Sequence, residues 1–370
     1  MALQRTVCER PLTKTMATHD CSVVMTDMAA ACTSCGECVR PCSFLQQQGT
    51  PAAIAGRGDA ESNLLSAFGC SLCGLCDAVC PEGLSPSAMF LTMRQQAASR
   101  TLVNLKAYAP WLNYETLGAS ALFQRDLIPG NCTTVFFPGC SLPGTRPDAV
   151  RELFTRLRMI EPTAGLVLDC CGKISRDLGL TDRFTTIFTQ LTERLRRKGV
   201  TRILTACPGC NKILSSYGGT TFQVASIYTV LAEQGQPRTS DLTAVVAIHD
   251  PCPARFDTVQ QSAVRQLVQS CGYRIEELAS HGERTRCCGQ GGMVEGCVPG
   301  TVKKEAALIG AEAVGHPVIS SCAACCDTLS TSVKSAHIAD LLTGTPVFST
   351  KPVSSARRWF NRLKLRFARL

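Results

Sequence analysis

Two copies of one cysteine signature run through this chain, and they carry most of its chemistry. The first copy is Cys140 after Pro138 and Gly139, the adjacent pair Cys170 and Cys171 before Gly172, and Cys207-x2-Cys210. The second is Cys252 after Asp250 and Pro251, Cys287 and Cys288 before Gly289, and Cys322-x2-Cys325. Each copy supplies five thiols. Thiolates are soft ligands for iron and zinc, but adjacent cysteines are too close to splay apart round one small ion. They suit a polynuclear iron–sulfur centre with several metal corners. The copies keep step, with offsets of 112 residues at the lone cysteine, 117 at the pair and 115 at the C-x2-C. Ten thiols in two matched sets point to a redox protein built by duplication.

A different cysteine pattern lies upstream: Cys32-x2-Cys35-x2-Cys38-x3-Cys42, then Cys70-x2-Cys73-x2-Cys76-x3-Cys80 followed by Pro81. This is the run of two-cluster ferredoxins, in which three cysteines wrap one cubane and the fourth reaches across to the other. The spacing assigns Cys32, Cys35, Cys38 and Cys80 to one [4Fe–4S] cluster and Cys70, Cys73, Cys76 and Cys42 to a second. Zinc needs only the C-x2-C pairs and leaves the other spacings unexplained; a structural zinc protein is the alternative that metal analysis decides. One departure from the motif is Ser43 where a proline would follow Cys42. Proline there directs the chain and binds no metal.

Six of the 24 cysteines fall outside both patterns: Cys8, Cys21, Cys132, Cys271, Cys297 and Cys326. Cys326 adjoins Cys325 and could take its place, although C-x2-C matches the first copy. Cys271 reads as a small core residue. Cys297 is read as a loop cysteine, with a substrate-facing thiol as the sharper alternative. His249 is expected to pack or cap, and His281 is a weaker candidate to protonate a product thiolate. The run Gly289, Gln290, Gly291, Gly292 lacks the spacing and lysine of a phosphate loop, and is expected to let backbone approach the centre closely.

The elements that would position these thiols follow from the hydrophobic pattern. Residues 1–28 read as an irregular N-terminus and residues 29–100 as an α-helical ferredoxin-like domain, with a helix near Ser87–Ala98. Residues 101–131 read as a connector. The first cysteine-rich module spans 132–235 and the second 241–345, each alternating short apolar runs with amphipathic helices. Expected strands are Val135–Phe137, Leu166–Leu168, Arg202–Thr205, Val245–His249 and Val318–Ser320; expected helices include Pro147–Met159, Arg183–Lys198, Thr258–Ser270, Val302–Val314 and Ala324–Lys334. The fold class is therefore α+β and multidomain, with a helical N-terminal domain and two duplicated α/β modules. In both modules the lone cysteine and the C-x2-C follow strand ends, where ligands gather in α/β sheets.

Composition narrows the function classes. The segment Met1–Cys8 has no apolar signal core, and no apolar run reaches the roughly 18 residues that would span a bilayer. A soluble chain in a reducing cytoplasm is expected, its thiols committed to metal and not to disulfides. Of the net charge of +9, seven charges sit in 351–370, on Lys351, Arg357, Arg358, Arg362, Lys364, Arg366 and Arg369. The remainder is near neutral, which argues against nucleic acid. Trp359, Leu363, Phe367 and Leu370 recur at helical spacing beside the arginines, so the tail reads as a basic amphipathic helix for a membrane surface or a partner. Peripheral attachment at the inner face of the membrane is the expectation. No Rossmann fingerprint or haem-attachment motif is present in the sequence, so flavin, nicotinamide or quinone chemistry would belong to a partner.

The paired CCG modules resemble the cysteine-rich domains of heterodisulfide reductase, and the double ferredoxin motif makes the whole similar to the fused catalytic subunit of that family. The iron–sulfur subunits of glycolate oxidase, anaerobic glycerol-3-phosphate dehydrogenase and lactate-utilisation enzymes share much of this layout. The resemblance implies a noncubane [4Fe–4S] centre in each five-cysteine set, in addition to the two cubanes, with the two centres facing each other across a disulfide substrate. Carried over, Cys140, Cys170, Cys171, Cys207 and Cys210 hold one centre, and Cys252, Cys287, Cys288, Cys322 and Cys325 the other. Two activities stay open: reduction of a small disulfide to its thiols, and electron relay for a flavin-dependent dehydrogenase feeding a membrane acceptor. Both require a redox partner, a flavoprotein or a membrane electron carrier.

Overall fold

The computed structural model describes residues 20–235, 244–344 and 348–368. Cys8, Arg369 and Leu370 lie outside the described residues. The N-terminal domain is a bundle of short helices in which Cys21–Ala31 packs on both Pro51–Ala55 and Pro86–Ser99. Met25, Leu45, Ile54, Leu64, Phe68, Met89, Phe90 and Met93 are buried between them. Each such side chain is worth roughly 1.5–3 kcal/mol of transfer free energy.

The helix Cys21–Ala31 corrects the expectation that residues 1–28 are irregular. Asp20 caps it, accepting from the Ser22 amide at 2.9 Å, and Cys21, Met25 and Met28 form one buried stripe. Alternate small and polar residues on its outer face, with Val23 half-exposed, hide that stripe from a periodicity count.

Two sheets follow. The first contains β1 (Arg125–Leu127), β2 (Thr134–Phe137), β3 (Gly165–Leu168), β4 (Arg202–Thr205) and β5 (Gln223–Ser226), in spatial order β1-β3-β2-β4-β5. The second contains β6 (Val245–Ile248), β7 (Arg274–Glu277), β8 (Val318–Ser320) and β9 (Ser335–His337), in order β7-β6-β8-β9. All pairs are parallel except β1 with β3, where Arg125 faces Leu168. Removing β1 leaves two sheets of identical topology, as duplication requires. β1 comes from the stretch expected to be a connector, so the first module begins before residue 132.

The two modules share a core. Leu153, Phe154, Leu166, Tyr228 and Leu231 belong to the same apolar cluster as Val246, Ile248, Leu267, Ile319 and Ala336. The helix Ile227–Glu233 of the first module lies against Thr258–Ser270 of the second.

Two further expectations are corrected. The helix expected over Ala324–Lys334 spans Ala323–Leu329. Beyond it Ser330 and Thr331 turn their hydroxyls back onto the Asp327 and Thr328 carbonyls, at 2.8 and 2.7 Å, which offers the backbone an alternative to further helix. The C-terminal helix, Ser355–Phe367, is docked on the protein and not presented as a free basic stripe. Its buried face is Asn361, Arg362 and Leu365, while Phe360 and Phe367 are exposed. Trp359 packs between Tyr114 and Phe123, and Arg358 pairs with Asp327. No helix among the described residues is long and apolar enough to cross a membrane.

Candidate metal centres

Cysteine thiols gather at four places. Cys32, Cys35, Cys38 and Cys80 line one pocket, walled by Pro51, Pro81 and Leu84. Cys42, Cys70, Cys73 and Cys76 line a second, open cleft. The structure thus places each fourth cysteine, Cys80 and Cys42, beside the other motif's three. Burial pushes the Cys38 and Cys42 thiols up to about 11. Metal binding must displace such protons, which couples loading to pH.

The first five-thiol nest is assembled at the carboxyl ends of β2, β3 and β4. Gly139, at φ +78°, carries the chain to Cys140; a Cβ there would lie 2.9 Å from the Cys210 sulfur, so only glycine lets the nest close. Cys207 caps the helix Pro208–Tyr217, and Cys210 is in its first turn. Neighbouring thiols shift one another's proton affinity in the order Cys140, Cys170, Cys171, Cys210, Cys207. The second nest repeats this order. Cys252 and Cys287 sulfurs are 4.0 Å apart, those of Cys288 and Cys325 are 3.4 Å apart, and Cys322 accepts from the Cys325 amide at 3.3 Å.

The second cysteine of the adjacent pair is made more acidic in both nests, and in the first nest Cys207 is brought down to about 6 as well, chiefly by bonding from Cys210. Hydrogen bonding from Cys170 and then Cys210 brings the Cys171 thiol down to about 6, and bonding from Cys287 and Cys325 lowers Cys288 likewise. The donors rise in compensation: Cys210 through Cys171, and Cys325 through Cys288. Among the described residues no three cysteine, histidine or carboxylate groups converge tightly enough for a single ion. The ten thiols form extended nests with several facing sulfurs, which is the donor arrangement a polynuclear iron–sulfur group needs.

Cations missed by sequence reasoning surround these thiols. Arg94, fully buried, donates to the carbonyls of Ala67, Phe68, Cys70, Asp177 and Gly292 at 2.5–3.2 Å, so it joins the ferredoxin-like domain to both modules. Arg255 donates to the Cys73 carbonyl at 3.1 Å and to those of Glu283 and Thr285. Lys173 pairs with Asp177; although burial works against its charge, Lys173 and Arg176 hold the Asp177 carboxyl down at about 2. Lys173 and Lys212 lie across the module boundary from Cys252, whose thiolate favours their charged forms, although burial lowers Lys212 overall. A signal for two of these existed, since Lys173 follows Gly172 directly and Arg255 is three residues after Cys252. Nothing comparable marked Arg94.

The nests are also close to the ferredoxin-like thiols on one side. Cys73 and Cys287 are neighbours that shift each other's proton affinity, and Cys287 lines the cleft of Cys42, Cys70, Cys73 and Cys76. The glycine run 289–292 brings this about. A Cβ on Gly291 would meet the Ser71 carbonyl at 2.3 Å, and one on Gly292 the Cys70 carbonyl at 2.7 Å.

The remaining candidates resolve simply. Cys326 turns away from the nest, toward the Ser320 and Ala336 carbonyls at 3.6 and 3.3 Å, so Cys325 is the nest member. Cys271 packs against the shared core. Cys21 lies against the Met25 sulfur at 3.6 Å, and Cys132 against the Thr134 carbonyl at 3.0 Å. Cys297 is exposed at the rim of the open cleft. His249 is buried with Nε2 3.1 Å from the Arg286 carbonyl. His281 is exposed, its Nδ1 2.7 Å from the Leu278 carbonyl.

Comparison with known proteins bears on these four gatherings. Residues 28–84 match the model of a 4Fe-4S dicluster domain. Residues 134–215 and 246–330 each match that of a cysteine-rich domain. Over 80% of its length the chain is 22% identical to a subunit of the dihydromethanophenazine:CoB–CoM heterodisulfide reductase of Methanosarcina mazei, covering 87% of that protein. The corresponding subunits of Methanosarcina acetivorans and Methanosarcina barkeri are 22% and 23% identical over 73% of the chain, with 80% of each covered.

Proposed function

Because the chain belongs to the heterodisulfide reductase-like iron–sulfur proteins that join a 4Fe-4S dicluster domain to cysteine-rich domains, we propose that it reduces a small disulfide with electrons received through its N-terminal domain. In this reading Cys32, Cys35, Cys38 and Cys80 hold one cubane, and Cys42, Cys70, Cys73 and Cys76 a second. The nests of Cys140, Cys170, Cys171, Cys207 and Cys210, and of Cys252, Cys287, Cys288, Cys322 and Cys325, each hold a further iron–sulfur group of the noncubane kind. Bound there, such groups supply one-electron transfer and a soft seat for a substrate sulfur.

The observation that carries the reading is the neighbourhood of Cys73 and Cys287, continued by Lys173 and Lys212 beside Cys252. It brings the thiols of three gatherings into one sequence, Cys73 to Cys287 and then across the boundary between the nests. Arg255 fixes the first junction by gripping the Cys73 backbone. Lys173 and Lys212 place positive charge at the second, where thiolate charge accumulates. Cleaving one disulfide takes two electrons and two protons and yields two thiols, and two nests, each with its own centre, divide that demand equally.

A second reading is favoured by the open cleft around Cys42, Cys70, Cys73, Cys76 and Cys287. It offers a partner protein access to the middle of the sequence, as an electron relay for a flavin-dependent dehydrogenase would need. The test is paramagnetic resonance on oxidised, anaerobically purified protein with and without small thiols. Disulfide reductase chemistry predicts a new signal on adding thiol. No signal with any thiol, together with reduction by a flavoprotein, favours the relay.

A further inference from the structure

The C-terminal helix carries a cation to the first nest. Arg362 is only 4% exposed, and its guanidinium carbon lies 5.2 Å from the Tyr114 ring, 5.4 Å from Phe123 and 5.5 Å from Trp359. One terminal nitrogen donates to the Gly118 carbonyl at 2.7 Å; the other is buried without a hydrogen-bond partner. The room is made by Gly118, where a Cβ would lie 2.6 Å from the guanidinium. Tyr114 in turn donates its hydroxyl to the Cys140 carbonyl at 2.9 Å. Asn361 holds the helix to Gly144, four residues after Cys140, at 2.8 Å.

Burying a guanidinium with one nitrogen unbonded and no carboxylate partner among the described residues is expensive. Aromatic faces recover part of that cost. A nearby thiolate-rich centre of net negative charge would recover the rest, and Tyr114, bonded to the Cys140 carbonyl and lying under the guanidinium, places Arg362 beside that nest. Cys252, the counterpart of Cys140, has Lys173 and Lys212 as cationic neighbours instead.

We infer that Arg362 is a positioning residue of the first nest: through Tyr114 it fixes the Cys140 segment, and its charge holds the group bound there at a higher reduction potential than the nest would give alone. The C-terminal helix is then part of the redox site. This rests on the reading that the nest binds an iron–sulfur group, whose potential responds to local charge.

The test uses the full chain, purified without oxygen, as wild type, Arg362→Gln and Arg362→Lys, with iron counting and paramagnetic resonance-monitored redox titration. Arg362→Gln is expected to keep its iron and to lower the potential of one centre by a tenfold shift in the one-electron equilibrium, about 59 mV. Arg362→Lys keeps the charge and should hold the wild-type potential while melting at lower temperature. Unchanged potentials in an iron-replete Arg362→Gln overturn the inference. So does an equal shift in Arg362→Lys, which would assign the effect to packing, and this arm decides the matter if Arg362→Gln does not fold. Wild-type protein without iron in the first nest would instead sink the functional reading beneath it.

Discussion

The two cysteine-rich modules share strand order, thiol order and an acidic second cysteine in the adjacent pair, yet they face different neighbours. The second is pressed against the ferredoxin-like domain through Cys287, Arg255 and the glycine run 289–292. The first is covered by the C-terminal helix and by a strand, β1, that its twin lacks. Duplication accounts for two nests. Specialisation lies in what was laid against each afterwards, ferredoxin-like thiols against one nest and the C-terminal helix against the other.

The residue that ties both modules to the N-terminal domain is Arg94, and its loss should produce the largest effect. Arg94→Ala leaves carbonyls of Ala67, Phe68, Cys70, Asp177 and Gly292 unpaired in the interior. Hydrogen bonds to a buried charge are worth enough that a loss on the order of 3–5 kcal/mol is expected. That is a large part of a domain's stability. Chemical denaturation should show it; a change within 1 kcal/mol would mean, roughly, that the contact is dispensable.

Next come the two glycines that let each module approach. Gly291→Ala pushes the second module from Ser71, and about 1–3 kcal/mol is expected from overpacking against backbone. Gly179→Ala meets the Arg94 backbone at 2.5 Å from φ +76°, and adds the left-handed penalty of about 1–2 kcal/mol. The first-module variant should therefore be the less stable. Only the second-module variant should slow electron passage from the N-terminal domain, read by stopped-flow reduction.

The smallest effect separates two equivalent helix caps. Ser226 caps Ile227–Glu233 after β5, accepting from Tyr228 at 3.3 Å. His337 caps Ile338–Leu342 after β9, accepting from the Ala339 amide through Nδ1 at 3.2 Å. Burial, then Arg146, holds the His337 imidazole well below its usual range. The unfolded chain takes up the proton first, so this contribution is complete above about pH 6.5 and is lost as pH falls below it. The slope is at most one proton, about 1.4 kcal/mol per pH unit. His337→Ser should flatten it in denaturation curves taken from pH 7 to pH 5, whereas Ser226→Ala should leave it unchanged.

Much of this architecture was legible because the thiols sit at the ends of strands buried on both faces and largely apolar, such as Thr134–Phe137 and Val318–Ser320. The outer strands were not, since Gln223–Ser226 and Arg274–Glu277 are short, polar edges that no run of apolar residues announces. Arg94 and Arg362 were unreadable for another reason. A basic residue on an amphipathic helix normally faces water, and nothing local shows that backbone carbonyls or aromatic rings from distant segments will surround it. The tail misled in the same way, its arginine supplying the buried face that Leu363 and Phe367 were expected to provide.

Counting iron and inorganic sulfide in oxygen-free preparations of wild type, Cys171→Ser and Cys288→Ser tests the central claim most directly. Two cubanes and two loaded nests predict about 16 irons, with a loss of about four in each variant and the remaining centres intact. A wild-type count of about eight that neither substitution lowers, or zinc in place of iron, would contradict it.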